Sequence, residues 1–378
     1  MHHVNNPIQF IDLQAQRRRL GEPMNKAILA AVEAGQWILG PQVKELEQKL
    51  AEFAGVKHAI ACANGTDALM IVLRAWNIGP GDAVFVPAFT FAATAEVVAL
   101  VGATPVFVDV HEDTFNLDPA SLESAIAMVK KDGALTPRVV MPVDLFGQSA
   151  DYAAIEPICK REGLKLFCDT AQAFGCLLNG KHAAAIGDAS ATSFFPAKPL
   201  GCFGDGGATF TNDDELAATL RSIRVHGQGS DKYENVRVGV NSRLDTIQAA
   251  ILLEKLKIFP DEIETRNIIA KRYNDGFAGS NRIITPRVMS GAVSTWAQYT
   301  LQVDNRDKLQ ADLKAKGIPT AVYYPIPLNE QKAYKQHPSA ATPKSAALSK
   351  TVISLPMHPY LDGTQQDRII AAVLESVD

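Results

Sequence analysis

Two charged side chains stand where apolar stretches of the chain end. Asp169 closes the run Leu166-Phe-Cys-Asp169, and Lys198 lies in the short apolar loop Phe195-Pro-Ala-Lys-Pro199. A carboxylate at the end of an apolar strand is costly unless a cation meets it. Apolar surroundings also make a lysine amine a better nucleophile toward a carbonyl. Taken alone, Asp169 is equally well explained by a helix cap or a buried salt bridge, and a lysine such as Lys198 far more commonly reaches solvent from its loop.

Two further features follow other apolar runs. The tripeptide Asn64-Gly-Thr66 comes directly after the predicted strand His58–Cys62 and directly before a predicted helix. Free backbone N–H groups, a hydroxyl and a positive helix end therefore coincide, which suits a phosphate, although a helix cap beside a turn glycine has the same pattern. Phe91 follows the run 83–87 and is either a core aromatic or a ring that stacks on a planar cofactor.

Together these four features match the protein side of a pyridoxal phosphate (PLP) site. The lysine would bind the aldehyde, the carboxylate would keep the pyridine nitrogen protonated, and the ring would accept electrons. The glycines at 201, 204, 206 and 207 do not form a dinucleotide fingerprint, and the chain contains no GxxxxGK[ST] motif. The sequence therefore argues against a nucleotide-binding dehydrogenase.

These residues need a scaffold that brings strand ends together. Between residues 43 and 211, short apolar runs alternate with helical patterns, which predicts a mostly parallel sheet covered on both faces. Ligands of such sheets bind at the carboxyl ends of the strands. After residue 211 the pattern predicts a helix at 244–258, a second helix that begins at Pro260-Asp261, and a half-buried antiparallel strand at 296–303. We expect a large PLP-binding domain with an N-terminal arm at 1–264 and a small α+β domain at 265–378.

Composition limits the class of protein. The chain has 378 residues, 47% of them apolar, and a formal net charge of −4; these values are typical of a globular protein and do not favour a nucleic-acid partner. No apolar run reaches the ~18 residues of a membrane span, and the first residues lack a signal-peptide pattern. Five scattered cysteines (62, 159, 168, 176 and 202) predict reduced, buried thiols. We expect a cytoplasmic enzyme without a membrane partner, and we assign no role to His2 and His3.

The sequence resembles the sugar aminotransferases of the DegT/DnrJ/EryC1/StrS family, which have the aspartate aminotransferase fold (PLP fold type I). The most specific stretches are Asn64-Gly-Thr-Asp-Ala-Leu69, Ser193-Phe-Phe-Pro-Ala-Lys-Pro-Leu-Gly201 with Gly204-Asp-Gly-Gly207, and Val238-Gly-Val-Asn-Ser-Arg-Leu-Asp-Thr246. Within the family it is most similar to enzymes that aminate UDP-2-acetamido-2-deoxy-3-oxo-glucuronate at C3, for bacterial O-antigen sugars. The resemblance implies L-glutamate as amino donor and a UDP-linked keto-sugar as acceptor.

The resemblance also implies roles for individual residues. Lys198 matches the lysine that carries the cofactor and acts as general acid and base, and Asp169 matches the partner of the pyridinium nitrogen. Gln172 matches a residue near the ring hydroxyl, and it is followed by Ala173-Phe174 where many relatives have Ser/Ala-His. Phe91 matches the aromatic that stacks on the ring. The phosphate-binding positions match Gly65, Thr66 and Ser193.

The resemblance also implies that two residues act in the active site of the other subunit. Asn241 matches an asparagine that reaches the cofactor phosphate of the other subunit, and Arg243 matches an arginine that meets the sugar carboxylate there. We therefore expect a homodimer with shared active sites. Tyr323 and Tyr324 are expected to contact substrate, although close relatives have His-Tyr at this dipeptide.

Two other functions are possible on the same scaffold. A PLP-dependent sugar dehydratase of this family has histidine in place of the cofactor-bound lysine, so Lys198 argues against that activity. A non-enzymatic sensor would show no absorbance from a lysine-bound cofactor and no amine transfer from glutamate. An aminotransferase for another nucleotide-linked 3-keto or 4-keto hexose is the alternative closest to our expectation.

Overall fold

The computed structural model of the chain describes residues 7–231 and 233–377, so His2 and His3 lie outside the described residues. The helices are α1 (Leu13–Glu33, interrupted at Gly21), α2 (Pro41–Ala54), α3 (Gly65–Ala75), α4 (Ala93–Leu100), α5 (Pro119–Asp132), α6 (Tyr152–Glu162), α7 (Asp214–Ile223), α8 (Thr246–Phe277), α9 (Arg306–Ala315), α10 (Pro343–Thr351) and α11 (Gly363–Val377). The strands are β1 (His58–Cys62), β2 (Asp82–Pro87), β3 (Thr104–Val108), β4 (Thr136–Val140), β5 (Lys165–Asp169), β6 (Leu177–Leu178), β7 (Lys181–His182), β8 (Ala189–Ser193), β9 (Gly207–Thr211), β10 (Ala292–Val293), β11 (Tyr299–Gln302) and β12 (Val352–Leu355).

A seven-stranded sheet in the order β1-β9-β8-β5-β4-β2-β3 organises the first two thirds of the chain. Only β9 runs antiparallel to its neighbours, β1 and β8; the other pairings are parallel. The carboxyl ends of the six remaining strands therefore lie at one edge of the sheet. This arrangement agrees with the predicted mostly parallel sheet.

Alternate residues along the strands pack into different cores. Val84 and Val86 of β2 contribute to the core formed with α3, α4 and α7, whereas Ala83 and Phe85 contribute to the core formed with α5 and α6. A third core joins α2 and the first half of α8 to β1 and β9. Because both faces are covered by helices, the strands need apolar residues at every position, which explains the continuous apolar runs in the sequence.

The helix prediction around Pro260 was wrong. The sequence predicts a break there, but α8 is one helix of 32 residues with Pro260 inside it. Phe259 packs into the core with α2, and Ile269, Ala270 and Tyr273 pack into the C-terminal core. Proline removes one helical hydrogen bond, and we attribute the continuity to this packing on both sides.

The C-terminal core is separate from those of the large sheet. It contains residues of the second half of α8, of α9 and α11, and of the antiparallel pair β11–β12, together with Ile8 from the N-terminal segment. The observed strand β11 lies inside the predicted strand 296–303. Since α8 crosses residue 264, the domain boundary between 264 and 265 stays a prediction.

Two simple expectations can be compared with the described residues. All five cysteines are buried and free, as predicted. Within residues 7–231 and 233–377, no helix combines the length and the apolar character needed to cross a membrane.

Candidate active site

Asp169 is the last residue of β5 and is buried at the carboxyl edge of the sheet. One carboxylate oxygen, Oδ1, accepts a hydrogen bond from the backbone N–H of Ala171 at 3.1 Å, and Oδ2 accepts one from the Thr94 hydroxyl at 3.1 Å. Burial raises the pKa of Asp169, while these hydrogen bonds and the nearby Lys198 ammonium oppose that rise. The carboxylate is therefore held by donors on both oxygens but keeps room for a further cation.

Lys198 lies in the loop between β8 and β9, and its backbone N–H donates to the carbonyl of Phe195 at 2.8 Å. Burial lowers the pKa of Lys198, and the Asp169 carboxylate partly offsets this. The neutral amine needed by a nucleophile or a general base therefore becomes more accessible. The structure brings the two charged residues singled out in the sequence into electrostatic contact, from different strands.

The amino end of α3 packs directly against the carboxyl end of β8. The side chain of Asn64 caps α3 by accepting from the Asp67 N–H at 2.8 Å. A Cβ at Gly65 would lie 2.6 Å from Cβ of Ser193, so this approach requires glycine. Thr66 follows in the first turn of α3. Gly65 and Ser193 therefore meet in a corner at the amino end of α3, where the first N–H groups lack helical partners, and the Ser193 hydroxyl accepts a hydrogen bond from the Phe195 N–H at 3.2 Å. This placement is the one expected for a phosphate site.

Phe91, which follows β2 in the chain, belongs to a group of contacting aromatic rings. The Phe91 side chain is 57% exposed although it follows a strand of the central sheet, so the core-aromatic alternative does not apply to it. Its ring centroid lies 6.4 Å from that of Tyr324, which contacts the ring of Tyr323 in turn. The Gln172 amide donates to the Tyr324 hydroxyl at 3.1 Å and accepts from the Phe146 N–H at 2.8 Å. Gln172 therefore orients Tyr324 and keeps one amide hydrogen free.

Asn241 and Arg243 line a cavity of about 480 Å³ together with Ile38, Ala63, Gly204, Asp205, Asp245 and Gln248. The hydroxyl of Ser242, which lies between them, accepts a hydrogen bond from the Ala63 N–H at 3.2 Å, so the cavity adjoins the segment that leads into α3. The half-buried Arg243 side chain forms no ion pair or hydrogen bond with any residue in the described part of the chain. Two carboxylates are the alternative partners within the same chain: Asp245 lines the cavity without pairing with Arg243, and Glu254 pairs with Lys257 at 2.7 Å. The structure therefore leaves the Arg243 guanidinium without a partner among the described residues.

Observations on the chain itself test whether PLP fits. The corner at Gly65 would be filled by any Cβ, which leaves backbone N–H groups open for a phosphate. A buried carboxylate at the end of β5 and a half-buried lysine in the loop after β8 interact electrostatically, and the ring of Phe91 is exposed. These groups match the phosphate, the pyridinium nitrogen, the aldehyde and the ring face of PLP. The residues present fit the cofactor.

Known proteins provide an independent comparison. The model of the DegT/DnrJ/EryC1/StrS aminotransferase family matches residues 18–374. The chain is 50% identical to the UDP-2-acetamido-2-deoxy-3-oxo-D-glucuronate aminotransferase of Pseudomonas aeruginosa, over 97% of this chain and 99% of that one. It is similar in structure to a DegT DnrJ EryC1 StrS aminotransferase from Brucella abortus, with 54% identity, a TM-score of 0.96, and coverage of 98% of this chain and 99% of the other.

A more distant structure, NtdA from Bacillus subtilis, was solved with the bound cofactor PMP, the amine form of PLP. It has 28% identity and a TM-score of 0.88, and the match covers 100% of this chain and 86% of NtdA.

Fold and site together define a PLP-dependent aminotransferase of fold type I, with PLP as its cofactor. The chain belongs to the DegT/DnrJ/EryC1/StrS aminotransferase family. The predicted family, fold class, enzyme class and cofactor are thereby confirmed. The roles of the individual residues stay predictions.

Sequence reasoning missed Thr94. Its hydroxyl holds Asp169, yet it lies 75 residues away in the first turns of α4. Thr94 lies at the end of the stretch that contains Phe91. The signal that could have identified it is a hydroxyl residue early in a helix that follows a strand of the sheet. Nothing in the sequence indicated which carboxylate it would meet.

Proposed function

We propose that this enzyme moves the amino group of L-glutamate to the 3-keto carbon of UDP-2-acetamido-2-deoxy-3-oxo-glucuronate, as a step toward a bacterial O-antigen sugar. Sequence identity of 50% over nearly the whole chain to an aminotransferase of that name supports the substrate. The observation that carries the proposal is the unpaired guanidinium of Arg243 beside Asn241 in an open cavity, because a uronic acid has a carboxylate that a hexose lacks. The cytoplasmic location stays a prediction.

Lys198 and Asp169 carry the chemistry in this proposal. When bound, PLP supplies an aldehyde that captures amines and a ring that accepts electrons. Lys198 Nζ moves the proton at the substrate carbon, as base and then as acid, and its lowered pKa suits both roles. Asp169 holds a proton on the pyridine nitrogen through its charge, and Thr94 and the Ala171 N–H keep the carboxylate oriented.

The remaining cofactor contacts follow from placement. Gly65, Thr66 and Ser193 bind the phosphate at the amino end of α3, and Phe91 covers one face of the ring. Gln172 keeps one amide hydrogen free for the ring hydroxyl. Tyr324, fixed by Gln172, and Tyr323 shape the side on which substrate enters.

Stopped-flow absorbance tests the substrate. The enzyme is loaded with glutamate and freed of 2-oxoglutarate, and is then mixed with the 3-oxo-glucuronate nucleotide or with its hexose analogue, in which CH₂OH replaces the carboxylate. We expect the uronate to return the cofactor to its aldehyde form at least about tenfold faster at low concentration, the effect of one charged hydrogen-bonded contact. Equal rates would favour the alternative, an aminotransferase for a keto-hexose.

We further propose that Asn241 and Arg243 act in the active site of a second copy. The cavity that they line is bordered by Ile38, and its neighbours Trp37 and Leu39 are exposed apolar side chains, as is Phe203. Contiguous exposed apolar groups are typical of protein interfaces. A second copy would cover them and bring Arg243 to a site that its own chain does not provide.

Hybrid dimers test this sharing. Lys198→Ala and Arg243→Ala chains with different tags are co-expressed, and the mixed dimer is isolated. Activity is measured at a uronate nucleotide concentration well below the wild-type KM, where the loss of Arg243 slows turnover. With shared sites, one site of the mixed dimer has both defects and the other has neither, so about half of the wild-type activity should return. If each chain uses its own Arg243, the site that keeps Lys198 lacks Arg243, and the mixed dimer should have no more than about a twentieth of the wild-type activity.

A further inference from the structure

A second aspartate, Asp144, is adjacent to Asp169 through its backbone. Asp144 follows β4, its backbone N–H donates to the Asp169 carbonyl at 2.9 Å, and its neighbour Val143 forms a parallel bridge with Asp169. The Asp144 side chain is fully buried. The backbones of the two aspartates are therefore adjacent, and the Asp144 side chain is buried beside Tyr152, which belongs to the core with α5 and α6.

The hydrogen bonds of the two carboxyl groups differ. Both donors to Asp144, the Ala150 N–H at 2.8 Å and the Tyr152 hydroxyl at 2.7 Å, contact Oδ1. Its Oδ2 is buried and has no hydrogen-bond partner among the described residues. In Asp169 each oxygen accepts one hydrogen bond. An ionised carboxylate spreads charge over both oxygens, whereas a carboxylic acid has one acceptor oxygen and one hydroxyl.

The charges that face the two groups differ as well. Asp144 is surrounded by Tyr152 from α6, Cys168 and Asp169 from β5, and Cys176. No cation is among these described neighbours, whereas Asp169 has Lys198. Burial above all, with the Asp169 charge as a lesser cause, raises the pKa of Asp144 to about 7. A negative charge on Asp169 therefore disfavours a second negative charge on Asp144.

We propose that Asp144 is a positioning residue that carries a proton on Oδ2 while Asp169 is ionised, so that the pair has one negative charge and that charge faces the cofactor. Asp144 then places a neutral side chain next to Asp169, and its backbone fixes the segment after β4 against β5. The catalytic consequence of this inference rests on the proposed role of Asp169. The protonation of Asp144 does not, since it is a property of the chain without cofactor.

Proton linkage in the apoprotein tests the inference without cofactor or substrate. Asp144→Asn keeps an acceptor at Oδ1 and places an N–H₂ group where the acid has its hydroxyl. A carboxyl protonated in the folded state and ionised in the unfolded state stabilises the fold at low pH, and this contribution is lost as the pH rises from about 4 toward 7. Urea unfolding of wild type in this window should release about one proton more than unfolding of Asp144→Asn. Equal proton release would overturn the proposal.

Infrared spectroscopy of the wild type gives a second measurement that does not depend on the folding of a variant. A protonated carboxyl C=O band should be present at pH 6, diminish as the pH rises past about 7, and be missing in Asp144→Asn. A wild-type spectrum at pH 6 without such a band would contradict the inference.

Kinetics of the loaded enzyme separate Asp144 from Asp169. Below pH 6.5 Asp144→Asn should keep turnover within about threefold of wild type, because a neutral amide replaces a neutral acid. Asp109→Asn is the matched control, since it changes a buried carboxyl whose two oxygens both accept hydrogen bonds, from the backbone N–H groups of Lys344 and Ser345. We expect Asp109→Asn to destabilise the fold at pH 6, and we expect Asp144→Asn to leave the stability of the fold at pH 6 unchanged. If Asp144→Asn is as slow as Asp169→Asn, Asp144 is ionised and the proposal fails. If Asp169→Asn is also near wild type, the proposed function of Asp169 fails instead, and the proton linkage still decides on Asp144.

Discussion

The region around Asp169 and Lys198 and the cavity around Asn241 and Arg243 use charge in opposite ways. In the first, a buried carboxylate at the end of β5 and a half-buried lysine in the loop after β8 offset one another, and hydrogen bonds from Thr94 and Ala171 hold the carboxylate. In the second, a half-buried guanidinium has no partner among the residues that the structure describes. The two charged groups of the first region come from one chain and suit chemistry common to the family, whereas the guanidinium of the second region needs a ligand or a second copy as its partner.

Among the substitutions that test this comparison, Lys198→Ala should cause the largest loss of activity. The variant removes the amine that faces Asp169, so turnover should fall by about three orders of magnitude or more. The fold and any dimer should persist, because within the described residues Lys198 is hydrogen-bonded through its backbone and not through its side chain. Steady-state rates with glutamate and circular dichroism measure the two effects. Turnover within tenfold of wild type would remove Lys198 from the mechanism.

Asp169→Asn should rank second. The amide is neutral, so the pyridine nitrogen can lose its proton and the ring becomes a weaker electron acceptor, which should slow turnover by roughly two or more orders of magnitude. Cofactor affinity should change less, since Gly65, Thr66 and Ser193 hold the phosphate. Single-turnover absorbance and equilibrium dialysis of PLP distinguish rate from affinity; a rate near wild type would show that the assigned role is wrong.

Arg243→Ala tests the second region and leaves the first intact. A charged, two-bond contact with a carboxylate is worth about 1.5–3 kcal/mol, so KM for the uronate nucleotide should rise about tenfold or more. The glutamate half-reaction should be nearly unchanged, and the preference for uronate over hexose should narrow. Equal impairment of both half-reactions would instead assign Arg243 to glutamate or to the fold.

Thr94→Val should give the smallest change. Losing the hydroxyl removes a hydrogen bond that stabilises ionised Asp169, so the pKa of Asp169 rises further and the acidic limb of the kcat profile moves to higher pH. We expect a loss of about threefold to tenfold in kcat at neutral pH, consistent with one hydrogen bond to a charge. Thr90→Val is the control, because Thr90 lies 3.5 Å from the Thr94 hydroxyl and donates nothing to Asp169. An unshifted acidic limb in Thr94→Val would exclude this contribution.

Local patterns predicted much of the sheet and part of the site. Strands covered on both faces need apolar residues at each position, so β1, β2, β5 and β9 were evident as apolar runs. The antiparallel direction of β9 was not evident, because a strand buried on both faces has the same composition in either direction. Pro260 predicted a helix end that packing on both sides of α8 overrides.

Short motifs contain the residue types of the cofactor site: Asp169, Lys198 and the tripeptide at Gly65 each belong to a segment whose chemistry can be inferred locally. The fold was needed to show which of them meet, that the Thr94 hydroxyl holds Asp169, and that Asp144 is adjacent to Asp169 with one carboxyl oxygen unpaired among the described residues. The fold also shows that Arg243 has no carboxylate partner in the described part of its own chain. Charge and hydrogen-bond energies depend on distance and burial between segments far apart in sequence, and no spacing along the chain encodes these.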